Sequence, residues 1–156
     1  MSDTIFCPGA VVLDIKSQDK ADAIKEVVFR AQVFDCIFNK AQLIEAIFTR
    51  EEEGPCLGHG VAFAHGKTPE VPEMKVALGI SRQGIYYASP HTSLVHLLFV
   101  VATHPSMHLD YLRKFSILAK MARRESFRRE ILSCFAPEEA ASELQRAFSL
   151  CRGIAG

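Results

Sequence analysis

From Val95 to Ala102 the chain reads VHLLFVVA, a nearly unbroken apolar run interrupted only by His96. No other stretch restricts the fold so strongly. It is far short of the ~20 residues that a membrane-crossing helix needs, and a strand of this composition has to be covered on both faces. Helices must supply that cover, and helical periodicity stands on either side. Ala21, Ile24, Val27, Val28 and Ala31 recur at helical spacing behind Asp19, a natural N-cap, which predicts a helix over 20–32. Asn39 is placed to cap a second, with Leu43, Ile44, Ile47 and Phe48 on one face and Gly54-Pro55 as its stop. Beyond the run, Pro105 suits a first helical turn, and Leu112, Phe115, Leu118, Ala119 and Ala122 continue a buried stripe. A short helix over 125–134 and one from Pro137, with Ala140, Leu144 and Phe148 inward, complete the C-terminal third.

Between the helical ends lie further strands. Val11-Val12-Leu13 reads as a short opening strand, and Val61 to Phe63 as one that enters a turn at His65. Met74, Val76, Leu78 and Ile80 alternate with Lys75, Ala77 and Gly79, the period of two of a half-buried strand, and Arg82-Gln83-Gly84 reads as a turn. No repeat, low-complexity segment or linker divides the chain, so residues 1–156 are expected to form one domain. The expected class is α/β: a single-domain sandwich with a mixed β-sheet flanked by helices.

Lysines plus arginines equal aspartates plus glutamates, 18 of each, and this balance argues against nucleic acid as the main partner. The clustered Arg123, Arg124, Arg128 and Arg129 read as a solvated helix face. Five cysteines, odd in number and without a C-x-x-C, fit reduced thiols in a cytosol. The N-terminal MSDTIFCPGA lacks the basic start and long apolar core of a secretory signal, so a soluble, cytoplasmic protein without membrane insertion is expected.

Chemistry concentrates in GHGVAFAHGK, residues 58–67. His65 closes an apolar strand and precedes Gly66, which places its imidazole at a strand-to-loop edge, where sites on α/β sheets tend to be built. Gly58 and Gly60 permit close approach or positive φ, and Lys67 adds positive charge. Arg50, at the end of the second helix, is able to return to the same edge through a helix–loop–strand connection. An arginine beside a histidine disfavours imidazolium and binds oxyanions bidentately, a pairing suited to a neutral nitrogen nucleophile attacking phosphorus. A satisfied structural histidine in a glycine turn is the bland alternative. A metal site from Cys56, His59, His65 and His108 is the rival chemistry, although its C-x2-H-x5-H spacing matches no common zinc framework. Among the other histidines, His91 reads as exposed, His96 as facing a polar edge or a hydrogen-bond partner, and His104 as a helix cap.

The stretch TREEEGPCLGHGVAFAHGK, from Thr49 to Lys67, resembles the signature of enzyme IIA domains of the phosphoenolpyruvate-dependent phosphotransferase system, fructose/mannitol type, especially the nitrogen-regulatory branch. VALGISRQGIYY, VHLLFVVA and RRESFRREIL extend the likeness over nearly the whole chain. The resemblance implies a phosphohistidine carrier that needs no metal or other cofactor. His65 would be the phosphorylated histidine, through Nε2, and Arg50 the support of the phosphoryl group. An HPr-like phosphocarrier would be the donor, and a sugar-specific IIB domain or regulatory target proteins the downstream partners. Three departures stand out. Ala64 replaces the usual proline, which is expected to loosen the backbone, and Phe63 replaces a smaller aliphatic. His59 replaces an asparagine between the loop glycines and either lines the site, as Gly60, Gly66 and Lys67 are expected to, or caps the turn. The second active-site histidine falls on Tyr111 without gaps; His108, one turn earlier, is the preferred candidate with a shorter loop. A degenerate, non-catalytic binding module on the same fold is the alternative reading.

Overall fold

The computed structural model describes residues 6–87 and 94–155. A five-stranded mixed sheet has the order β1-β4-β5-β3-β2, made of β1 (Val11–Val12), β2 (Cys56–Gly58), β3 (Val61–Lys67), β4 (Lys75–Ile85) and β5 (Val95–Thr103). β5 runs antiparallel to β4 and parallel to β3, while β1 is parallel to β4 and β2 antiparallel to β3. The expected mixed sheet between helices is therefore the architecture, with VHLLFVVA at its centre.

The run is apolar throughout because its two faces serve two cores. Leu97, Phe99 and Val101 pack with α3 (His108–Arg123), α4 (Glu125–Leu132) and α5 (Pro137–Ala155), through Leu118, Ile131 and Leu144. Leu98, Val100 and Ala102 pack with α1 (Lys20–Arg30) and α2 (Lys40–Glu51), through Ile24, Val27, Leu43 and Ile47. Each fully buried leucine or isoleucine here contributes about 1.5–3 kcal/mol. Both helices on the second face start as anticipated. Asp19 Oδ1 accepts from Asp22 N at 2.9 Å, and Asn39 Oδ1 from Gln42 N at 3.0 Å. α2 ends before Gly54, whose φ of 114° only glycine adopts without strain.

Several expectations are corrected. β4 is covered on both faces rather than half-buried, because Ala77 and Gly79 are small where helices come close. A Cβ on Gly79 would lie 2.7 Å from Val27 Cγ2. Arg82-Gln83-Gly84 is no turn but an irregular stretch of β4, where pairing with β5 shifts between Ile80 and Ile85 and Gly84 takes a φ of 100°. β3 does not stop at Phe63 but continues through His65 to Lys67. Ala64 pairs with Val100 in an unbroken ladder, so the missing proline does not loosen the backbone there. α3 starts at His108, not at Pro105. Leu112 is 47% exposed, because the buried face of α3 is carried by Ile117, Leu118 and Met121 further along.

Candidate functional site

The C-terminal ends of β3 and β5, one face of α2 from Gln42 to Arg50 and the first turns of α3 border a cleft of about 790 Å³. Arg50, His65, Gly66, Lys67, His108 and Tyr111 all line it, so six of the residues singled out in the sequence meet at one place. A smaller adjoining cavity of about 100 Å³ also touches Arg50, His65 and Tyr111, together with Glu51, Cys56 and Phe63. His65 is thus a wall of both spaces, although only 9% of its surface is exposed.

The alternation of β3 explains how the site is assembled. Val61, Phe63 and His65 face the α3 side, whereas Ala62, Ala64 and Gly66 face α2. The second set is small so that α2 can approach closely. A Cβ on Gly66 would lie 2.7 Å from Ile47 Cγ1 and 3.2 Å from Ile47 N. Gly66 is therefore there for helix contact, not to free the backbone beside His65. This close seating brings the last turn of α2, with Arg50, to the edge where His65 stands. Glu51 beside it is buried, and its Oε1 lies 3.3 Å from Lys20 Nζ, tying the end of α2 to the start of α1.

On the opposite face, Tyr111 stacks on His65 with ring centroids 4.3 Å apart and planes 14° from parallel. Tyr111 is held in turn by Phe115 at 5.7 Å, and Phe115 by Phe63 at 5.1 Å. The large Phe63 accordingly supports the ring that covers the imidazole. Of the two candidates for the second-histidine place, Tyr111 contacts His65. His108 is exposed at the cleft rim, because one helical turn carries it past the imidazole.

Burial, followed by the charges of Lys67 and Arg50, lowers the His65 pKa to about 4. The imidazole is neutral at physiological pH, with a lone pair available on one nitrogen. Nε2 lies 2.7 Å from the buried hydroxyl of Thr103. Arg50 is half exposed and only loosely paired, 3.9 Å from Glu53 Oε1, so its guanidinium is able to turn to an anion. A neutral imidazole beside two cationic side chains in a cleft has the chemistry to bind an oxyanion and to act as a nitrogen nucleophile. Burial raises the Tyr111 phenol, which stays protonated.

His59 and Gly60 do not line the cleft. They form the two-residue turn between β2 and β3, at the far end of β3, with φ of 57° and 77°. Two positive φ angles in a hairpin turn favour Asn-Gly, and histidine is among the residues that tolerate the left-handed region. The set Cys56, His59, His65 and His108 is consequently not brought together, and no cluster of three or more metal-ligating side chains occurs among the described residues. His96 Nδ1 donates to Ser81 O at 2.8 Å, the polar partner expected for it. His104 caps the turn before α3 rather than the helix, accepting from Ser106 N at 3.1 Å. His91 lies outside the described residues.

Sequence reasoning missed Thr103 and Glu51. Thr103 ends β5, and only the parallel register that sets it opposite Lys67 brings it to His65. The one available signal was a hydroxyl closing an apolar run. Glu51 is hidden in the acidic REEEG, where nothing distinguishes the buried carboxylate from its exposed neighbours.

Comparison with known proteins places the chain among relatives of one family. Residues 4–147 match the family described as phosphoenolpyruvate-dependent sugar phosphotransferase system, EIIA 2. The chain is 29% identical over 123 residues to the fructose-specific EIIABC component of Bacillus subtilis, covering 78% of this chain but 19% of that longer protein. It is 23% identical over 128 residues to the nitrogen regulatory protein of Bradyrhizobium diazoefficiens, covering 81% and 83% of the two chains. The crystal structure of the nitrogen regulatory protein IIA-Ntr from Neisseria meningitidis superposes with a TM-score of 0.80 at 25% identity, over 90% of this chain and 96% of that one.

Proposed function

Since this chain belongs to the EIIA 2 family of the phosphoenolpyruvate-dependent sugar phosphotransferase system, we propose that it carries a phosphoryl group on His65, received from an HPr-like phosphohistidine protein. The observation that carries this reading is the imidazole kept neutral at the wall of a cleft that also presents Arg50 and Lys67. In the reaction, the lone pair of one His65 nitrogen attacks phosphorus in line. The bond to the donor imidazole breaks, and its electron pair returns to the donor. Arg50 and Lys67 stabilise the charge on the equatorial oxygens, and the rest of the acceleration comes from positioning.

The phosphoryl group then passes to a IIB domain, or its presence serves as a regulatory signal to target proteins. The likeness to two nitrogen regulatory proteins over most of their lengths supports the regulatory role. No helix among the described residues is long and apolar enough to cross a membrane, and a cytoplasmic carrier fits this reading. The protein would act as one folded unit over residues 1–156.

Tyr111 on the face of His65 favours a second reading, a binding module that no longer transfers phosphate. Incubation with phosphoenolpyruvate and the general phosphocarrier proteins, followed by intact mass, separates the two. An acid-labile phosphoryl group that is lost in His65→Ala supports transfer. Absence of any label in the wild type supports the binding module, and label that persists in the variant refutes the assignment of His65.

A further inference from the structure

We propose that Thr103 is a catalytic residue of this transfer: its hydroxyl keeps Nε2 of His65 as the unprotonated, attacking nitrogen and passes its hydrogen bond to a phosphoryl oxygen as the N–P bond forms. The inference rests on the reading of His65 as the phosphoryl acceptor.

Thr103 is the last residue of β5 and is 1% exposed. Its backbone is fixed on both sides. The ladder with β3 pairs it with Lys67, and its carbonyl accepts from Thr68 N at 2.8 Å. The hydroxyl is therefore presented from a rigid strand end, as a site-forming group should be. Its oxygen lies 2.7 Å from His65 Nε2, the length of a good hydrogen bond, and has no other hydrogen-bond partner among the described residues.

That last fact selects the tautomer. A neutral imidazole carries one proton, on either Nδ1 or Nε2. If Nε2 carried it and donated to Thr103, the hydroxyl proton would be buried with no acceptor, the more costly arrangement. If the hydroxyl donates to Nε2, the buried hydroxyl proton has its acceptor and the ring proton sits on Nδ1, which is not among the fully buried polar atoms left without a partner. The stacked ring of Tyr111 keeps the imidazole in the plane in which Nε2 meets the hydroxyl.

The chemistry follows from that arrangement. The Nε2 lone pair forms the bond to phosphorus while the donor's N–P bond breaks and its electron pair stays with the donor imidazole. No proton has to move, because Nδ1 already holds the ring proton. The Thr103 O–H, released from the lone pair, turns onto one of the three phosphoryl oxygens and stabilises the product and the transition state that precedes it.

The test combines spectroscopy with kinetics on the intact protein. With 15N-labelled histidine, the unphosphorylated wild type should show His65 Nε2 with an unprotonated-type shift and Nδ1 with a protonated one. Thr103→Val keeps the branched shape of the strand residue and removes the hydroxyl. It should lose the tautomer preference and slow phosphoryl uptake by about a hundredfold or more, whereas Thr103→Ser should retain both. A protonated Nε2 in the wild type overturns the proposal, as does uptake at the wild-type rate in a folded Thr103→Val. Should Val not fold, a slow Thr103→Ser with an unchanged spectrum overturns it equally. If the wild type takes up no phosphoryl group at all, the reading of His65 as acceptor fails and the transfer role fails with it, while the spectrum still decides separately whether Thr103 selects the tautomer.

Discussion

The ring of Tyr111 lies almost flat on the imidazole of His65, with centroids 4.3 Å apart. A stacked ring restricts the imidazole and excludes water from one face, and the phenol oxygen is not needed for either effect. Tyr111→Phe should therefore transfer phosphate within about twofold of the wild type, and Tyr111→Ala should lose about tenfold or more through misplacement of the nucleophile. His108→Gln should change the rate little, because His108 stands exposed at the rim. Uptake rates of the three variants decide the matter; a loss confined to His108→Gln would return the second-histidine role to that residue.

The small residue after His65 sets how near α2 lies. Gly66→Ala puts a methyl group 2.7 Å from Ile47 Cγ1 and close to the Ile47 backbone nitrogen, so the helix itself must move. Overpacking of this kind costs about 1–3 kcal/mol. The displacement also carries Arg50 away from His65. Urea unfolding should show the lost stability and the uptake assay a reduced rate in the same variant; an unaffected denaturation midpoint would contradict the contact.

Acid should weaken the fold through His65. Its folded pKa of about 4 lies below the ordinary 6.5, so between these values the unfolded chain binds the extra proton. Stability then rises with pH across that window and falls as pH drops from 7 toward 4, by about 2 kcal/mol between pH 7 and pH 5. His65→Gln, which titrates nowhere in the range, should remove that part of the slope. Denaturant unfolding at pH 7 and pH 5 checks it, and parallel slopes for the two proteins would exclude the effect.

His59 bears a left-handed φ of 57° in a turn remote from the cleft. Asparagine tolerates that conformation better, so His59→Asn should stabilise the protein by about 0.5 kcal/mol. Phosphoryl uptake should stay at the wild-type rate. A marked loss of uptake would place His59 in the site after all.

Much of this protein was legible in the chain because short-range physics wrote it there. Asp19 and Asn39 cap the helices they precede, and the unbroken apolar run from Val95 is the central strand. That His65, Arg50 and Lys67 would share one edge was also legible from residue type and neighbourhood, and all three line the cleft. The failures share a cause. Small residues were underread: Ala77, Gly79, Ala64 and Gly66 look like pauses in hydrophobicity, yet each is a place where a helix presses on the sheet. A strand that is polar or small on one face resembles an exposed one until the packed helix is seen.

The amino-acid order alone determined which elements form and which strand and helix ends bear the titratable side chains of the cleft, since periodicity and capping act within a few residues. What touches His65 was decided only by the fold. Thr103 comes from β5 and Tyr111 from α3, and neither is near His65 in sequence. Strand register and the seating of α3 bring them there, and both are set by the joint burial of two cores on a shared sheet, a condition that no local pattern contains.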